Sequence, residues 1–150
     1  MSILQSKAPF AARMALGTIF FVFGLNGFLH FIPQPPPPPA ALAFAGALFQ
    51  TGYMFPLIKG TEVLASLMLL SGRYVPLALT LLAPIVVNIV AFHVFLAPGA
   101  GPLMIAFTVL ALGIYLAWSE RAIFRPFFQT RRADAPASDR ARGAGAHAAT

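Results

Sequence analysis

The chain has 150 residues, 59% of them hydrophobic and 9% charged, with a net charge of +6 and no cysteine. A mean hydropathy of +0.80 leaves too few charges to cover a water-facing surface, so the bilayer is the expected solvent. The missing cysteine excludes disulfides, thiol relays and thiolate-held metals, and basic residues placed at the ends of apolar segments point to membrane topology, not nucleic acid.

The first apolar segment runs from about Pro9 to Ile32, longer than the roughly 20 residues a span needs. Its apolar core is too long for a signal peptide and no small-residue cleavage site directly follows, so it reads as a retained span. The run PQPPPPPA ends it, because proline cannot continue a helix and favours extended backbone. AALAFAGALFQTGY follows, closed by Gln50, Thr51 and Gly52. It is too short to span comfortably and is expected to be an interfacial or re-entrant helix.

The second span is expected over about Phe55 to Ser71, with Pro56 in its first turn. SGR makes a tight turn into a third span, about Tyr74 to Leu96, with a kink expected at Pro84. APGAGP leads into a fourth, about Leu103 to Trp118, and SERAIFRPFF follows as an amphipathic exit with Trp118 at the interface. The predicted fold is an all-α integral membrane four-helix bundle with a short interfacial helix between the first and second spans. The membrane domain covers residues 1–128. Residues 129–150, rich in Ala, Arg and Gly, have too few large apolar groups to fold and read as a disordered basic tail.

Basic residues orient the spans. Lys7 and Arg13 precede the first, Arg73 lies between the second and third, and Arg121, Arg125, Arg131 and Arg132 follow the fourth. The connections from Pro33 to Pro56 and from Ala97 to Pro102 carry no charge. All basic segments then fall on one side, which predicts a multi-pass protein with both termini in the cytoplasm.

With that topology Asn26 and His30 of the first span, Lys59 and Glu62 of the second, and Asn88 and His93 of the third fall in the same, outer half of the membrane. At about 1.5 Å per residue all six lie within roughly 5–15 Å of the outer boundary. Asn26 and His30 share a face, as do Lys59, Glu62 and Ser66, and Thr80, Pro84 and Asn88 form a stripe on the third span. His93, five residues past Asn88, is turned about 140° away and is the weakest member of the set. Intramembrane ionisable groups are costly and rarely idle, so the six are read as a polar binding cluster.

Plainer roles stand beside that reading. Lys59 can snorkel, Lys59 and Glu62 can be a structural ion pair, the two asparagines can join helices, and His30 can be solvated. Glu62, His30 and His93 lack a tight ligand motif, so no metal is assigned. The run IFFVFG reads as lipid-facing or core packing, and Gly17 and Gly24 as sites of close helix contact.

The stretches RMALGTIFFVFGLNGFLHFIP and TGYMFPLIKGTEVLASLMLLSGRYVPLALTLLAPIVVNIVAFHVFL resemble the DoxX family of small bacterial membrane proteins. The order and character of LNGFLHF, KGTE, LLSGR, LLAPIVVN and FH are similar to that family over roughly residues 10 to 126. The resemblance implies a four-helix protein of the bacterial cytoplasmic (inner) membrane. It also implies a link to thiosulfate:quinone oxidoreductase or oxidative-stress complexes, with a quinone as carrier and a redox partner subunit. Some distant relatives work with thiol partners, a chemistry this cysteine-free chain cannot perform itself. The expected role is a redox-associated subunit binding a quinone or other lipophilic carrier at the polar cluster. The alternatives are a non-enzymatic scaffold or a small-solute carrier. A homo-oligomer is compatible with either, and no nucleic-acid partner is expected.

Overall fold

The computed structural model describes residues 3–33 and 35–124, and the region predicted to form a disordered tail lies outside them. The described chain is helical, in the order α1 (Ile3–Leu29), α2 (Pro39–Gln50), α3 (Met54–Ser71), α4 (Val75–Phe95), α5 (Ala100–Ser119) and α6 (Arg121–Phe124). Four helices, α1, α3, α4 and α5, are long and apolar enough to cross a membrane. Their 18 to 23 apolar residues correspond to about 27–34 Å, the thickness of a hydrocarbon core. The chain is thus a multi-pass membrane protein by architecture.

The four long helices close into a ring, with α1 packed on α3 and α5, and α4 on α3 and α5. The ring encloses Leu16, Phe20, Ala65, Leu69, Ala78, Leu82, Val109 and Leu116. Outward-facing Leu77, Val87, Met104, Phe107 and Ile114 are exposed, as expected where lipid is the solvent and no apolar residue needs hiding. Gly17 and Gly24 let α3 approach α1 closely. A Cβ at Gly24 would meet Val63 Cγ2 at 2.9 Å and the Val63 backbone nitrogen at 3.3 Å.

Local chemistry sets the ends. α2 starts at Pro39 after an extended Pro38, since proline suits the first helical turn and has no N–H to leave orphaned. Thr51 joins α2 to α3. Its hydroxyl donates to the Leu48 carbonyl at 2.7 Å and accepts the Met54 N–H at 3.0 Å. Phe49 and Phe55 stack across this corner, ring centres 3.9 Å apart. Phe44 holds α2 against Phe92 of α4 at 5.8 Å. At about 18 Å, twelve residues cannot span, which agrees with the short non-spanning helix expected here. At the other end, Gly72 closes α3 in the left-handed region at φ +71° and gives its N–H to the Leu69 carbonyl. The bundle therefore has a basic end, carrying Arg13, Arg73 and Arg121, and a proline end, carrying Pro33, Pro35 and Pro102.

Candidate functional site

A cavity of about 430 Å³ opens inside the proline end of the bundle. All four long helices contribute to it. α1 supplies Ile19, Phe20 and Phe23, α3 supplies Lys59 and Glu62, α4 supplies Ile89, Phe92 and His93, and α5 supplies Pro102, Ile105 and Val109. Pro33 and Pro35 complete the rim. Phe23 and Ile105 line the cavity yet are 36% and 49% exposed on the bundle surface. They form the wall between the cavity and the outer surface on the side where α1 meets α5.

The charged floor is one ion pair. Lys59 Nζ lies 3.1 Å from Glu62 Oε1 and 2.8 Å from Oε2. The glutamate side chain is 4% exposed and the lysine 21%. Helical spacing of three puts both on one face. The lysine has three donors and directs two at the carboxylate, so one is left for an occupant. Its stem runs over Gly27 of α1, where a Cβ would fall 2.6 Å from both Lys59 Cγ and Cδ. Ser66, next on this face, is buried but gives its hydroxyl to the Val63 carbonyl at 2.7 Å.

His93 is the third polar group. Its Nδ1 lies 2.8 Å from the Ile89 carbonyl oxygen. A carbonyl only accepts, so Nδ1 carries a proton and Nε2 is the nitrogen left for a ligand. An edge contact with Phe92, ring centres 5.2 Å apart, fixes the imidazole plane.

Three expectations change. Asn88 does not face the site: it is exposed, as are Thr80 and Pro84 of the same stripe. The buried side of α4 is Val75, Ala78, Leu79, Leu82 and Val86, so the polar stripe points away from the bundle. His93 lines the cavity because it lies on the other side of α4 from Asn88.

Asn26 and His30 serve the helix end instead. The Asn26 carbonyl accepts the His30 N–H at 2.9 Å, and Asn26 Oδ1 accepts the Ile32 N–H at 2.7 Å. His30 is exposed and sits at φ +51°. Asn26 is buried but joins no second helix through its Oδ1 bond. The His30 bond is the last i to i−4 bond of the helix; the Ile32 bond satisfies an N–H beyond it, just before Pro33 and Pro35, which line the cavity.

Sequence reasoning missed the apolar walls. Phe20 and Phe23 belong to a run read as packing or lipid-facing, and both line the cavity. The sequence signal for Gly27 is its place three residues past Gly24, on the same side of α1. Among the described residues, no three His, Asp or Glu come together as metal ligands.

The chain matches no family model, no curated protein and no solved structure.

Proposed function

We propose that this chain is a DoxX-like subunit of the bacterial inner membrane that binds a quinone or another lipophilic carrier between its four spans. The carrying observation is the cavity itself. Aromatic and proline walls enclose one lysine–glutamate pair and one histidine. Its volume falls within the range of about 300–1,000 Å³ typical of small-molecule sites. A quinone ring needs an apolar slot, hydrogen-bond donors for its carbonyls and a route for protons. The spare Lys59 N–H supplies a donor, His93 Nε2 takes or gives a proton according to ring state, and Glu62 holds the lysine. Phe23 and Ile105, one side chain deep between the cavity and the outer surface, are where a ligand that travels in lipid would enter.

In this reading electrons come from a partner subunit or from the reduced carrier itself. Both termini are assigned to the cytoplasm from the basic residues, which puts the cavity in the outer half of the membrane. Asn88, exposed about two thirds of the way along α4, is the natural contact for that partner or for a second copy, since a bare amide in hydrocarbon gains most from a neighbouring helix.

The test is to purify the protein from membranes and extract its lipids. Co-purifying quinone, displaced by added quinone analogue, supports the reading. No bound quinone and no response to titration would sink it. One observation favours the scaffold alternative: Lys59 and Glu62 satisfy each other while the lysine stem fills the notch at Gly27. A Glu62→Gln protein that loses its fold rather than its ligand would support that alternative.

A further inference from the structure

The basic end holds a second cavity, of about 190 Å³, lined by Pro9, Phe10, Arg13, Val75, Leu116 and Glu120. It lies at the opposite end of the bundle from the carrier site. Arg13 is pinned there. Its guanidinium packs against Gly72, where a Cβ would lie 3.0 Å from Cζ, and Cζ stands 5.3 Å from the Phe10 ring centre. Its Nε is buried and has no hydrogen-bond partner among the described residues. A cavity ligand cannot reach that occluded nitrogen, so the donors that Arg13 offers to an anion are its terminal Nη1 and Nη2 groups, which hydrogen-bond no described residue. Glu120 is half-buried at the end of α5 and lines the same space. The two do not neutralise each other: among the described residues the ion pair is Lys59–Glu62 alone.

A cavity with one cation and one anion held apart is complementary to a ligand with the reverse pair. Its other walls, Phe10, Val75 and Leu116, are apolar. Trp118, exposed two residues before Glu120, marks the depth where headgroups meet hydrocarbon. We propose that this cavity is a binding site for the phosphoethanolamine headgroup of a phospholipid, with the phosphate on Arg13 and the ammonium on Glu120. Phosphatidylglycerol would bring no cation to Glu120, and the quaternary amine of phosphatidylcholine has no N–H to donate.

The test uses the full-length protein in nanodiscs of equal parts phosphatidylethanolamine, phosphatidylcholine and phosphatidylglycerol. Lipids retained after extraction are counted by native mass spectrometry. The expected result is about tenfold enrichment of phosphatidylethanolamine over each competitor. Arg13→Gln is expected to abolish retention of all three. Because that variant could simply misfold, Glu120→Lys is the decisive one: it is expected to turn the preference toward phosphatidylglycerol. Equal retention of the three lipids by the unaltered protein, or an unchanged preference in Glu120→Lys, would overturn the proposal. Retention of free O-phosphoethanolamine without lipid selectivity would also overturn it, by assigning the same charge pattern to a soluble ligand.

Discussion

Lys59 Nζ is held by both carboxylate oxygens of Glu62, at 3.1 and 2.8 Å, while its methylene stem lies over the bare backbone of Gly27 on the neighbouring helix. One lysine thus ties a charge pair on α3 to the packing of α1 on α3. Stability and the proposed carrier binding meet at this residue, and variants can separate them.

Removing one member of the pair leaves the other charge uncompensated. Breaking a buried pair in this way costs about 3–5 kcal/mol, and partial exposure of Lys59 moves the expectation to the lower end. Glu62→Leu is therefore expected to lower the thermal midpoint in detergent more than Glu62→Gln, which keeps an acceptor. The double variant Lys59→Met/Glu62→Leu is expected to recover most of the stability, since an apolar pair of similar volume has no desolvation penalty. It is not expected to recover carrier binding. Thermal melts alongside quinone extraction check both outcomes.

The glycines of α1 give a graded series. At Gly24 an added Cβ meets Val63 Cγ2 at 2.9 Å and Val63 backbone at 3.3 Å, so the helices must part. At Gly27 it meets only the lysine stem, which can swing away. Gly24→Ala is expected to cost about 1–3 kcal/mol. Gly27→Ala is expected to cost less but to pull Lys59 off Glu62 and weaken carrier binding. Gly60→Ala, inside α3 with nothing within 4 Å of the new Cβ, serves as the clash-free control and is expected to gain about 0.5–1 kcal/mol from helix propensity.

Asn26 and His30 are expected to behave as parts of a helix stop. His30 holds a left-handed conformation, which costs a non-glycine residue about 1–2 kcal/mol. His30→Gly should therefore leave the thermal midpoint unchanged or raised, with carrier binding intact. Asn26→Ala loses the acceptor for the Ile32 N–H and should lower stability by about 1 kcal/mol. A loss of binding in His30→Gly at full stability would return that residue to the site.

The span count, their approximate limits and the short intervening helix are legible in the sequence because each depends on local signals. Hydrophobic length sets a span, and proline or glycine ends it. The pairing of Lys59 with Glu62 is legible for the same reason, as a spacing within one helix. What sequence hides is rotation of a helix about its axis. Thr80, Pro84 and Asn88 form a true stripe, and the assumption that polar stripes face inward fails there because the inner face of α4 is filled by Leu79, Leu82 and Val86. Depth misleads in a second way at Asn26 and His30. They lie toward the same end of the bundle as the cavity, but beyond the last turn of α1 the Ile32 N–H has no helical acceptor, and it takes the Asn26 side chain.

The two polar residues of α4 offer the sharpest contrast. Asn88 is exposed on the outside of the bundle, while His93 lines the cavity with its Nδ1 engaged by Ile89. Asn88→Leu replaces an amide facing hydrocarbon with an apolar side chain, so the isolated chain is expected to be as stable or more stable, with its carrier retained. What it should lose is association, whether with a partner subunit or a second copy, read by cross-linking in intact membranes. His93→Leu is expected to do the reverse. Association persists, because the residue faces inward, and carrier affinity falls by about tenfold, the scale of one hydrogen bond to a polar ligand group. If instead Asn88→Leu strips the carrier and His93→Leu leaves it bound, the assignment of the two faces of α4 is wrong.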